Sequence, residues 1–153
     1  MGFTLNSKDD KILRILKDNS RIPAKKISEE VDVSLPTIYS RVKKLEDTGV
    51  IKNYTIGIDY EKIGKKICAL LGLSVPTMKV QNFAKELTNR KEVYETYITN
   101  GPSNVMLKVR MKDLEELKGF IEEISQKEDI NGYQIFIVMD SLLDEVTSPF
   151  KGE

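Results

Sequence analysis

The sequence predicts an α+β chain of two small domains. An N-terminal winged helix-turn-helix spans residues 1–58, a linker follows at 59–66, a ferredoxin-like βαββαβ domain occupies 67–147, and a tail closes the chain at 148–153. Three observations carry this prediction. Three amphipathic helix patterns stand ahead of Gly49, the last two separated by a short Asp-Val-Ser break. β-branched and aromatic residues follow at once, and from Ile67 short apolar strands alternate with two helices.

In the first helix, from Ser7 to about Asn19, Ile12, Leu13, Ile15 and Leu16 recur at helical spacing. Ser7 is placed to cap it, and Asp9 and Asp10 suit the dipole of the first turn. After the connector Asn19–Pro23, Ile27 and Val31 stand four apart in a second helix, Ala24 to Val31. Asp32 tolerates the left-handed backbone of a tight turn, Ser34 caps a third helix, and Pro36 is permitted in its first turn. That helix runs to about Thr48. Gly49 stops it, and Val50–Ile58 reads as a short hairpin. Asp59–Lys66, with Gly64 and several charges, reads as the linker.

Ile67–Val75 is then a mostly apolar strand, and Val80, Phe83, Ala84 and Leu87 mark a helix after the Pro76-Thr77 turn. Val93–Thr99 and Asn104–Arg110 are strands around Gly101-Pro102. Leu114, Leu117, Phe120, Ile121 and Ile124 give a second helix, and Tyr133–Met139 closes the domain after Asn131-Gly132. This order places both helices on one sheet face and leaves the other in need of a cover. Domains this small bury only about 60% of their unfolded surface, so self-association is a favoured source of stability.

Basic and acidic residues balance at 24 each, but unevenly along the chain. Residues 1–66 hold 14 basic against 10 acidic, and the remainder 10 against 14. A basic front half suits an approach to a polyanion by that half alone. With no histidine and Cys68 as the single cysteine, no zinc ligand set and no Ser-His or Cys-His relay can be assembled. No metal, cofactor or catalytic residue is expected. Cys68, in an apolar run, reads as a small buried hydrophobe. The polar N-terminus lacks a signal-peptide core, and no apolar stretch approaches about 18 residues, so the expectation is a soluble cytoplasmic protein with no membrane partner. Tyr94 and Tyr97, three apart on one strand, should point to opposite faces as core or interface residues. Glu115-Glu116 and Glu122-Glu123 read as a solvated helix face.

The third helix carries the chemistry. Leu35, Ile38, Val42 and Leu45 are spaced 3, 4 and 3 apart and form a stripe against the first two helices. Pro36, Thr37, Ser40, Arg41 and Lys44 lie on the other side. Small residues near a helix start let it approach base edges of double-stranded DNA, while basic residues further on reach phosphates. Thr37 and Ser40 are accordingly read as base contacts, and Arg41, Lys43 and Lys44 as phosphate contacts.

The same residues carry a resemblance. It starts with the L-x-x-x-D-x-K-I-L pattern from Leu5 to Leu13, passes through Arg21-Ile22 and Val33-Ser34, and is densest from Arg41 to Thr55 in R-V-x-x-L-E-x-x-G-V-I-x-x-Y. It continues through the Gly101 turn, Leu107–Arg110, and Asn131-Gly132 with the closing strand. Over nearly its whole length the chain resembles the Lrp/AsnC, or feast/famine, regulators of prokaryotes. The resemblance implies sequence-specific DNA binding, a homodimer formed through the C-terminal sheet, assembly into tetramers or octamers, and an amino-acid-like effector. The effector positions it points to are Tyr97, Thr99, Asn100, Gly101 and Asn104.

The chain departs from the family at that turn. Relatives commonly read Gly-Asp-aromatic-Asp, whereas this sequence reads Gly101-Pro102-Ser103-Asn104. Both carboxylates are missing, and Pro102 removes a backbone N–H. Either another acid such as Glu95 meets an effector's ammonium, or the ligand differs, or none binds. Two other functions share parts of this reading. A nucleoid-organising protein of low sequence specificity would use the same basic residues, and a metabolite-binding enzyme would need a nucleophile–base pair that the sequence does not offer.

Overall fold

The computed structural model of the chain describes residues 5–127 and 129–141. It divides into two compact units, one ending at Gly57 and the other beginning at Ile58. The expected tail at 148–153, with residues 142–147, lies outside the described residues. Among those described, no helix is long and apolar enough to cross a membrane.

The first unit contains α1 (Ser7–Asp18), α2 (Ala24–Val31) and α3 (Leu35–Asp47). The cap of α1 is Asn6, one residue earlier than expected. Its side chain accepts the N–H groups of Lys8 and Asp9, and the Asp9 carboxylate accepts the Asn6 N–H in return. That reciprocal box satisfies more orphan donors than a lone Ser7 hydroxyl would. Asp32 takes the left-handed conformation, at φ 55°, and turns the chain from α2 into α3. The Ser34 side chain accepts the Thr37 N–H to start α3. Ile12, Ile27, Val31, Ile38 and Leu45 form the buried centre of this unit.

Gly49, at φ +71°, ends the run after α3 where an L side chain would be strained. The hairpin expected over 50–58 is absent, and these residues form no strand. They are held instead by side chains and one backbone bond. Val50 and Ile51 pack on the three-helix core, the Ile51 N–H donates to the Leu45 carbonyl at 3.0 Å, and the Tyr54 hydroxyl donates to Glu46 at 2.7 Å. Burial and the neighbouring Glu46 carboxylate push the Tyr54 phenol up to about 12.

The second unit contains β1 (Ile67–Ser74), a 3₁₀ turn (Thr77–Lys79), α4 (Val80–Thr88), β2 (Val93–Ile98), β3 (Val105–Met111), α5 (Leu114–Ser125) and β4 (Gly132–Ile137). The sheet order is β2-β3-β1-β4, with every neighbouring pair antiparallel. This is the ferredoxin-like arrangement. Alternation along the strands sends Ala69, Leu71, Leu73, Val105, Leu107, Val109 and Met111 to one face. There they bury against Phe83, Ala84 and Leu87 of α4 and Leu117, Phe120 and Ile124 of α5. The opposite face displays Leu70 beside its register partner Phe136, 38% and 54% exposed. Cys68 is only partly buried, because its strand position falls on that open face.

Tyr94 corrects the parity expected of β2. The register runs from Val93 opposite Val109 directly to Glu95 opposite Lys108, leaving Tyr94 as the extra residue of a bulge. Tyr94 stands edge-on to Tyr60, with ring centroids 5.0 Å apart, and the Arg110 guanidinium lies 4.0 Å over the Tyr60 ring. Arg110 alternates with buried Val109 and Met111, so Tyr94 shares the open face with Tyr97. Tyr60, in the stretch expected to be linker, is thereby held on the sheet, and Lys65 pairs with Glu116 at 3.8 Å.

Candidate nucleic-acid interface and effector cavity

The outward side of α3 borders a polar hollow of about 520 Å³ lined by Asn6, Asp9, Pro36, Thr37, Ser40, Arg41 and Lys44. Five of the six residues expected to meet DNA therefore gather in one place, while Lys43 is exposed elsewhere on the helix. Pro36, Ser40 and Lys44 are also exposed. The Thr37 hydroxyl stands 2.7 Å from that of Ser34, so it shares in the cap of α3. Arg41, like Thr37, is only half-buried. Its Nη1 donates to Asp9 Oδ1 at 2.7 Å and lies 3.4 Å from Asn6 Oδ1. Asn6 and Asp9 are the residues that sequence reasoning missed here, since Asp9 read only as a first-turn acid. Tyr39 of α3 is 62% exposed and lies outside the lining of the hollow.

In the second unit a cavity of about 460 Å³ opens between the start of α4 and the β2–β3 turn. It brings Thr99, Asn100, Gly101 and Asn104 together with Thr77 and Gln81, over the apolar Val80 and Ile98. Tyr97 is not among its lining. Paired with Met106, it lies on the open face and donates its hydroxyl to Glu95, whose carboxylate raises the phenol pKa. Every side chain lining the cavity is uncharged. Asn104 is also engaged: its Oδ1 accepts the Val75 N–H at 2.9 Å and its Nδ2 donates to the Val75 carbonyl at 2.6 Å. Glu95 is not among the cavity's lining and pairs with Lys108 at 3.2 Å.

Residues 5–52 match the winged helix-turn-helix DNA-binding family, and residues 68–147 match the Lrp/AsnC ligand binding domain. The chain belongs to the Lrp/AsnC family. Among relatives of this Lrp/AsnC protein, the HTH-type transcriptional regulator FL11 of Pyrococcus horikoshii is 31% identical, over 99% of this chain and all of that one. The HTH-type transcriptional regulator Ptr1 of Methanocaldococcus jannaschii is 32% identical, over 92% of this chain and 96% of its own. The solved structure of a transcriptional regulator from Neisseria meningitidis in complex with L-Met has the same fold, with a TM-score of 0.87 at 22% identity, covering 95% of this chain and 97% of that one. This Lrp/AsnC chain is a DNA-binding transcriptional regulator and not an enzyme.

Proposed function

We propose that this Lrp/AsnC protein is a sequence-specific cytoplasmic regulator, at least a homodimer and a candidate for tetramers or octamers. Two copies of α3 enter successive major-groove faces of a pseudo-palindromic duplex. The observation that carries the reading is the outward side of α3, where small Thr37 and Ser40 stand beside Lys44 in one open hollow. Thr37 and Ser40 meet base edges with Pro36 at the helix start, and Lys43 and Lys44 hold phosphates. The open sheet face, with Leu70 and Phe136 side by side, supports pairing with a second copy.

The cavity beside the β2–β3 turn is the proposed effector site, with Thr99, Asn100 and the Gly101 backbone as its polar lining. The L-Met bound to the Neisseria regulator makes an amino-acid-like molecule the class to test. The uncharged lining and the engaged Asn104 favour an effector that depends little on its ammonium group.

A titration of the full chain against duplex selected from a random pool, and against scrambled duplex, tests the regulator reading. A specificity ratio of at least ~10³ is expected, and a ratio near one would point to a nucleoid-organising protein. Ser40→Ala should weaken the selected duplex alone. Lys44→Ala should weaken both and lower the salt slope by ~1.

A further inference from the structure

We infer that Asp9 is a positioning residue for DNA recognition, acting through Arg41 to fix α3 against the N-terminus of α1. The inference rests on the reading of α3 as the DNA contact. Asp9 is 5% exposed, and a carboxylate that enclosed must have partners for its oxygens. Both oxygens have one. Oδ2 accepts the Asn6 N–H at 3.4 Å and so closes the capping box of α1, while Oδ1 accepts Arg41 Nη1 at 2.7 Å, 32 residues along the chain. One side chain thus joins the start of α1 to the middle of α3.

Arg41 is held at one edge only. Its Nε is buried with no hydrogen-bond partner, yet the side chain remains 28% exposed and lines the hollow with Thr37, Ser40 and Lys44. A guanidinium is a planar, rigid fork, so holding Nη1 between Asp9 and Asn6 restricts where its other nitrogens point. Asp9 therefore determines which donors of Arg41 the duplex meets, and at what angle α3 presents Ser40 beside them.

Charge alone argues against an acid in this place. Asp9 lines the hollow that the duplex would face, and a negative charge there opposes the approach of a polyanion. Removing it should then strengthen DNA binding on electrostatics, whereas the positioning role requires weakening. The two accounts differ in sign.

The test is fluorescence anisotropy on the full chain over a salt series, with the selected duplex and its scrambled form. Asp9→Asn keeps one acceptor oxygen where two are used, and should weaken the selected duplex about tenfold or more. It should change the scrambled duplex little, and have no further effect in an Arg41→Ala background. Binding by Asp9→Asn as tight as wild type or tighter overturns the inference. So does an equal loss when Arg41 is already Ala. Should Asp9→Asn fray α1 in circular dichroism, Arg41→Lys leaves the cap intact and keeps the charge while removing the fork. It should lose selectivity at an unchanged salt slope, and wild-type selectivity in that variant overturns the inference. A wild-type protein that binds neither duplex refutes α3 as the contact, which is a separate failure.

Discussion

Asn104→Asp introduces the carboxylate that the family resemblance leads one to expect at this turn, and it should damage the second unit. The Asn104 amide meets both polar groups of Val75, accepting at 2.9 Å and donating at 2.6 Å. Val75 is 3% exposed, so water cannot readily replace either bond. Aspartate keeps the acceptor but puts an anionic oxygen against the Val75 carbonyl. A lost hydrogen bond costs about 1 kcal/mol and a stranded buried carbonyl about 1–3 kcal/mol more, for a total of about 2–4 kcal/mol near neutrality. Protonation would supply a donor again. The new carboxyl is therefore disfavoured as the anion in the folded state, its folded pKa lies above its unfolded one, and part of the loss returns as pH falls. Urea unfolding at fixed protein concentration, near neutrality and in mildly acid buffer, reads both effects. A variant within about 0.5 kcal/mol of wild type at neutrality would refute the reasoning, as would no relative recovery in acid.

Gly72→Ala should cost about 1–3 kcal/mol by overpacking, because its Cβ would stand 2.6 Å from Ser103 Oγ and 2.9 Å from Ser103 Cβ; a thermal melt at wild-type temperature would contradict this. The Tyr54 phenol, raised from 10.0 to about 12, favours the protonated folded state, so its contribution is complete below about 10 and lost as pH rises through about 12. Melts across that alkaline window should show the loss, and Tyr54→Phe should flatten it. Phe136→Glu places a charge beside Leu70 on the open face and should shift the protein toward monomer in light scattering, without unfolding the helix-covered core. An unchanged mass would remove that face from the interface.

Local chemistry made most of the elements legible. α2 begins and ends where its pattern places it, Asp32 takes the left-handed turn, and Gly49 stops the chain after α3, because each depends on neighbours in sequence. The stretch 50–58 misled because β-branched and aromatic side chains describe a surface that packs, and here Ile51 and Tyr54 pack or bond to the helices without a ladder. The site was legible only as a helix face. That Arg41 belongs to Asp9 and Asn104 to Val75 depends on pairings 32 and 29 residues apart, which no periodicity encodes.

The bulge in β2 divides that strand into two stretches of opposite parity, and this makes it sensitive to length in an unusual way. Losing Tyr94 would bring Val93 and Glu95 into an unbroken alternation opposite Val109 and Lys108. Losing Thr96 instead would carry Glu95 toward the helices or Tyr97 off the open face, since every side chain beyond a one-residue slip changes sides. Position 94 is therefore where a single-residue deletion can be absorbed by the sheet. It would remove the ring that flanks Tyr60 while leaving the strand order intact.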